Sequence, residues 1–209
     1  MKKRFMILCL LAVIETGCIG LPAKQNAAIP ASQPAMRAAS LEEHSTEPGD
    51  TPLIIASRQG NVAQVKALLA SGADVNATNE QETTALMAAS QAGHVEVIKE
   101  LTAVQTLELD RMDLNSDTAL MQAVQHNQLA AVQALLAAGA DPESLKAGMS
   151  ALIAASYQGN VEIVQALLDA GANAAWADEN GETALDVAAN NNHPAVVAVL
   201  YQHQAKKQK

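Results

Sequence analysis

An all-α solenoid of helix-turn-helix units is the fold this 209-residue sequence predicts, and three observations predict it. The first is a period. A small hydroxylated residue, Leu two positions on and Gly or Asn seven beyond that recur as Thr51/Leu53/Gly60, Thr84/Leu86/Gly93, Thr118/Leu120/Asn127, Ser150/Leu152/Gly159 and Thr183/Leu185/Asn192, in steps of 33, 34, 32 and 33 residues. The second is one-sided apolar spacing in the latter half of each unit, as at Val161, Val164, Leu167 and Leu168. No unit can bury such a face by itself, so each must stack on the next. The third is an aromatic content of 2%, which fits a core of Leu, Val, Ile and Ala.

In chain order, residues 1–17 read as an export signal. Lys2-Lys3-Arg4 supplies a positive start, and Phe5 to Ile14 is an unbroken apolar run too short to span a membrane. The next residues, Ile14-Glu15-Thr16-Gly17-Cys18, resemble the lipobox of bacterial lipoproteins, which implies cleavage before Cys18 and its lipidation. Both cysteines, Cys9 and Cys18, lie in this segment, so a disulfide is not their purpose in the mature chain. Glu15 stands where such signals place Leu, and two alternatives stay open: a signal ending at 23, after Leu21-Pro22-Ala23, or an uncleaved tether. If Cys18 is lipidated, Ile19 rather than Asp after it implies the outer membrane. Residues 18–48, with Pro30, Pro34 and Pro48 among Ala, Gln and Ser, form a flexible linker. Within it, residues 35–43 can form a short helix whose Met36 and Leu41 would cover Ile54 and Ile55 at the open end of the stack.

The repeat domain runs over 49–204, in units 49–81, 82–115, 116–147, 148–180 and 181–204, followed by a basic tail at 205–209. In the first unit Thr51 can cap a helix, and Pro52 suits its first position, where a missing N–H costs nothing. That helix must be short, because Gly60, Gly93 and Gly159 follow at the place where a left-handed residue ends a helix; Asn127 and Asn192 serve the same purpose. Second helices are expected at Val62–Ala70, Val95–Ala103, Leu129–Ala138, Val161–Ala170 and Pro194–Gln202. Alanines at Ala88-Ala89, Ala154-Ala155 and Ala188-Ala189 let first helices approach closely. The stretch Gly49 to Asn76 resembles the ankyrin repeat almost position by position, and the resemblance continues to about Gln204. It implies an ankyrin-repeat solenoid of five helix-turn-helix units joined by hairpin-like loops, and a non-enzymatic role in binding proteins.

Three departures from the family pattern stand out. Gln105 replaces the glycine (Gly72, Gly139, Gly171) that ends the other second helices, Thr102 replaces a Leu, and the 103–113 connection has one extra residue. The joint between the second and third units is therefore the expected weak point. The connection from Asp141 to Gly148 is one residue short. The histidine that many ankyrin repeats carry after Thr-Pro-Leu is replaced by Ile54, Met87, Met121, Ile153 and Asp186.

Charge narrows the partner. Between residues 49 and 204 there are eighteen acidic and five basic residues, against which phosphates would be repelled, so nucleic acid is excluded and a basic protein partner favoured. A negative surface also serves solubility alone. The resemblance implies binding through a concave face lined by the ends of the first helices and the loop tips. Here that stripe is Arg58-Gln59, Gln91-Ala92, Gln125-His126, Tyr157-Gln158 and Asn190-Asn191, with loop residues Glu80, Gln81, Leu114, Asn115, Lys146, Ala147, Glu179 and Asn180. Tyr157 and Arg58 are the anchors that interface chemistry favours. Trp176 has no counterpart in other units and serves either packing or contact. His44, His94, His126, His193 and His203 do not share metal-ligand spacing, and no nucleophile pairs with a base; Ser57, Ser90 and Ser156 recur as packing positions. No catalytic residue, metal, cofactor or small-molecule substrate is expected. The function read from the sequence is a protein-binding module exported to the bacterial envelope, for stress defence or as an immunity-type inhibitor, sited in the periplasm and anchored to the outer membrane if Cys18 is modified. The alternatives are an assembly spacer or a secreted effector that binds host proteins.

Overall fold

The computed structural model describes residues 47–207, apart from 144, 147 and 148. The signal, Cys18, Met36, Leu41 and most of the linker lie outside the described residues. Ten α-helices follow in five pairs among the described residues: α1 (Pro52–Arg58) with α2 (Val62–Ala70), α3 (Ala85–Ala92) with α4 (Val95–Thr102), α5 (Ala119–Gln125) with α6 (Leu129–Ala137), α7 (Ala151–Gln158) with α8 (Val161–Asp169), and α9 (Ala184–Asn190) with α10 (Pro194–Lys207).

All but the last are too short to persist alone in water, so caps and stacking must hold them. Each anchor hydroxyl is a cap: Thr51 Oγ1 accepts from Ile54 N at 3.2 Å, Thr84 from Met87 at 3.2 Å, Thr118 from Met121, Ser150 from Ile153 and Thr183 from Asp186 at 3.3 Å. Gly60, Gly93 and Gly159 have φ of 70°, 74° and 75°, and Asn127 and Asn192 have 56° and 60°, as a left-handed helix end requires. All five second helices begin where the sequence places them. The last one overruns its expected end at Gln202 and continues to Lys207, into the expected basic tail. Neither Gly nor Pro interrupts that stretch, and lysines near a helix C-terminus favour its continuation.

First helices pack on first helices and second on second. The position three residues past each cap is the seam: Ile54, Met87, Met121 and Ile153 are all buried. Apolar side chains there stack repeat on repeat, which is why the expected histidine is dispensable. In the fifth repeat, which no further described repeat covers, the same position is the exposed Asp186. Its carboxylate accepts from Thr183 Oγ1 at 2.6 Å and Thr183 N at 3.0 Å, and these bonds, the side-chain one first, lower its pKa below the ordinary 3.8. Ser57, Ser90 and Ser156 are buried between helices, Ser90 Oγ donating to Leu86 O at 2.7 Å.

A second set of ties runs along the stack. His94 Nε2 lies 3.0 Å from Arg58 O in the preceding repeat, Gln128 Nε2 3.4 Å from Gln91 O, and His193 Nε2 3.0 Å from Tyr157 O. Each ring or amide passes over the preceding glycine: a Cβ on Gly60 would meet the His94 ring at 2.7 Å, so that position needs glycine for space as well as for φ. Where Asn127 replaces glycine, the next repeat carries the shorter Asn160, whose Nδ2 bonds Asn127 Oδ1 at 3.1 Å.

The exits from the second helices differ. Gly72, Gly139 and Gly171 are left-handed, with φ of 88°, 95° and 100°, and the following N–H closes on the helix: Ala73 to Leu68 O, Ala140 to Leu135 O and Ala172 to Leu167 O, each at 3.0 Å. Gln105 is not left-handed, and α4 closes through Val104 N to Leu101 O at 3.1 Å. The altered connection is held from outside. Asn76 of the first repeat donates to Thr106 O at 2.7 Å and accepts from Glu108 N at 2.9 Å, while Val104, Leu107 and Leu109 pack against the core.

Candidate protein-binding face

The loop tips are built by side chains that imitate a turn. Asn79 Oδ1 accepts from Gln81 N at 3.0 Å and Thr83 N at 2.9 Å; Asp113 Oδ1 accepts from Asn115 N at 2.8 Å and Asp117 N at 2.9 Å; Asp178 Oδ1 accepts from Asn180 N and Glu182 N, both at 2.9 Å. A left-handed residue completes each tip: Glu82, Ser116 and Gly181, with φ of 60°, 62° and 79°. In the shortened connection to the fourth repeat, Leu145–Lys146 pairs antiparallel with Met149–Ser150 instead. The side chain of Lys146 and the whole of Ala147 lie outside the described residues. Neighbouring tips touch: Leu114 N donates to Gln81 O at 3.1 Å and Glu80 N to Pro48 O at 3.4 Å.

The helix ends form the neighbouring stripe, and the structure joins its members across repeats. Gln158 Nε2 donates to Gln125 O at 2.9 Å. Gln91 Nε2 lies 3.2 Å from His126 Nε2, and His126 Nδ1 lies 2.9 Å from Gln122 O. A carbonyl can only accept, so Nδ1 carries the proton and Nε2 accepts from Gln91. Asn191 Nδ2 donates to Val187 O at 2.8 Å, closing its own helix.

Several stripe residues are occupied within their own repeat. The side chain of Arg58 is 17% exposed and ion-paired with that of Asp50, itself 2% exposed, with Glu47 at 3.8 Å. Asn79 Nδ2 also donates to Asp50 Oδ1 at 3.0 Å. Arg58 thus fastens the segment before α1 to the stack, which is a different use from the anchor the sequence favours. Gln125 Nε2 donates to Asp117 Oδ1 at 3.0 Å, and Asn190 Nδ2 to Glu182 Oε1 at 2.8 Å. Tyr157, by contrast, is 61% exposed. Glu80, Asn115, Glu179 and Asn180 are exposed, Gln59 and Gln81 half-buried, and Leu114 is 64% exposed at its tip. Trp176 is half-buried and packs against the core.

Between the first three repeats this face holds a cleft of about 210 Å³ lined by Glu47, Gln81, Thr83, Met87, Gln91, Asp113, Asn115 and Gln122. Glu47, Asp113 and Gln122 line the cleft but were not legible as site residues: Asp113 repeats Asn79 and Asp178 as a turn-building side chain, and Glu47 and Gln122 lie outside the stripe and the tips. Met149 was missed because it is apolar where the equivalent positions Asp50, Asp117 and Glu182 are acidic. The array's described cations are all paired with its own acids: Arg58 with Asp50, Lys66 with Glu100 at 3.1 Å, Lys99 with Glu96 at 2.7 Å, and Arg111 with Glu108 at 3.1 Å. Among the described residues, no group of three or more His, Cys, Asp or Glu side chains is placed to hold a metal ion. No described helix is long and apolar enough to cross a membrane.

Comparison with known proteins agrees with this architecture. A family model for ankyrin repeats (3 copies) matches residues 53–146 and 120–209. The ankyrin repeat and KH domain-containing protein mask-1 of Caenorhabditis elegans is 30% identical over 80% of this chain, and human inversin is 30% identical over 76% of it. An L-asparaginase of Dirofilaria immitis is 32% identical over 73% of this chain. The chain spans only 6%, 15% and 26% of the lengths of these relatives, so what is shared is the array and not their whole activities. Five stacked helix pairs with capping hydroxyls, left-handed helix ends and turn-mimicking tips, matched by the family model over three quarters of the sequence, place the chain in the ankyrin-repeat family, whose repeats serve as protein-interaction modules.

Proposed function

We propose that this is an exported protein of the bacterial envelope that binds a basic protein partner through the concave face formed by its first-helix ends and loop tips, without catalysing a reaction. The observation that carries the reading is electrostatic. Eighteen acidic residues face five basic ones over 49–204, and the four cations whose side chains are described are each paired with an acid of the array, which leaves an excess of acids, among them Glu80, Glu179 and Glu182 at the tips. Such a face accelerates encounter with a positively charged protein and discriminates against nucleic acid. The export signal at 1–17 and Cys18 support a periplasmic site with a lipid anchor on the outer membrane, and envelope stress defence or inhibition of a toxic effector are the roles this arrangement suits.

The test joins location to binding. Intact mass of the mature protein from its native envelope should show a chain beginning at a diacylglyceryl-modified Cys18; an unmodified chain beginning near Lys24 would replace the anchor with a soluble periplasmic form. Partners crosslinked in the same preparation should be lost with rising salt, and lost when Glu80, Glu179 and Glu182 are replaced together by Lys. Capture indifferent to both treatments would sink the electrostatic reading.

A further inference from the structure

The residue before each first-helix cap and the residue eight positions later form a recurring pair on the first-helix face. In the first, third and fifth repeats the pair is an acid and a donor that bond to each other: Asp50 with Arg58, Asp117 with Gln125 at 3.0 Å, and Glu182 with Asn190 at 2.8 Å. In the second repeat the positions hold Thr83 and Gln91. In the fourth they hold Met149 and Tyr157, which are 41% and 61% exposed. The bond that closes this position in the first, third and fifth repeats has no counterpart there, and a thioether and a ring face solvent in its place.

An acid–donor pair satisfies itself and gains little from a visitor. An apolar pair gains by being covered, and an exposed tyrosine beside a flexible methionine is well suited to receive a side chain of varied shape. Helix packing puts the equivalent positions of adjacent repeats about 8–10 Å away, so the pair is flanked by Asp117–Gln125 on one side and Glu182–Asn190 on the other. Over residues 116–204 there are nine acidic residues and one basic residue, Lys146, whose backbone pairs with Met149. Charge therefore selects what surrounds the apolar side chain of a visitor: arginine or lysine, which can also lie over the Tyr157 ring.

We propose that Met149 and Tyr157 form the anchor subsite of this face, taking one apolar side chain of a protein segment whose neighbouring arginines or lysines meet the acids of the third and fifth repeats. The proposal rests on the protein-binding reading given above and names the partner's recognition element. Tyr157→Ala should leave the fold intact, because the ring is exposed and the Tyr157 carbonyl that His193 reaches is retained.

The experiment selects a phage-displayed random-peptide library against the folded array, then measures the affinities of the enriched peptides for variants. The expected result is a consensus of an apolar residue flanked by Arg or Lys, with affinity reduced about tenfold or more by Tyr157→Ala and by Met149→Ala, and unchanged by Gln133→Ala, an exposed position on α6 outside the face. Melting curves should match the parent throughout. Enriched peptides that ignore Met149 and Tyr157, or that lack basic residues, would overturn the subsite while leaving the protein-binding face standing. Failure to enrich any peptide would count against the face itself, and against the subsite with it.

Discussion

The exits of the first, third and fourth repeats and the exit of the second solve the same geometrical problem by different means. Three of them reverse the chain locally: a glycine turns left-handed and the next N–H returns to the helix it leaves, Ala140 to Leu135 O at 3.0 Å for example. The second repeat has Gln105 at that point, an extra residue, and a brace reaching in from the preceding repeat through Asn76. A side chain of the preceding repeat reaches the third and fourth exits too, Asp110 accepting from Asp141 N at 3.0 Å and Glu143 from Asn173 N at 2.7 Å, so what sets the second exit apart is that it has this brace and the Val104 closure without the glycine turn. The geometry of this connection is altered, as the sequence leads one to expect, and the connection is bonded and packed.

The sharpest way to break the comparison is to remove the brace. Asn76→Ala deletes the donor to Thr106 O and the acceptor of Glu108 N, and at about 0.5–1.5 kcal/mol for each such bond the expected loss is about 2 kcal/mol. Urea unfolding reads the total, and hydrogen exchange should show the loss concentrated in the 104–110 amides. Exchange rising evenly through all five repeats would mean that Asn76 acts on global stability and does not brace this connection.

The exits also show which features a sequence discloses. Caps, left-handed helix ends and the starts of second helices were legible because each need is met within a few residues, by Thr51 for Ile54 N or by Gly60 for its own φ. The brace was not legible, since Asn76 and Glu108 lie 32 residues apart and only the stacked repeat brings them together. The candidate face divides the same way. The repeat period brought out the stripe and the tips, but not the use of each member. Arg58 has the chemistry of an interface anchor, and only the structure reveals Asp50 beside it; Met149 gains meaning only when its position is set against Asp50, Asp117 and Glu182.

The glycine exits offer a gentler test. A Cβ on Gly139 meets nothing within 4 Å, so Gly139→Ala isolates the conformational cost from any steric one. A left-handed alanine costs about 1–2 kcal/mol, partly offset by the reduced freedom of the unfolded chain, leaving an expected loss of about 1 kcal/mol. Asn replaces Gly at left-handed positions elsewhere in this chain, so Gly139→Asn should recover part of the loss in the same urea titration. Equal losses for Ala and Asn would show that φ is not what this exit requires.

The smallest effect comes from imposing the glycine solution on the braced exit. If Gln105 were merely a poor substitute for the family glycine, Gln105→Gly would stabilise the joint. The structure argues the reverse. Gln105 is not among the residues with positive φ, and α4 already closes through Val104. Glycine there would bring only the entropy of a freer unfolded chain, a destabilisation of about 0.5 kcal/mol. A melting temperature that falls slightly sharpens the distinction between the two kinds of exit. One that rises would mean that this connection readily takes up the glycine turn beside its brace, as the third and fourth exits do with Asp110 and Glu143.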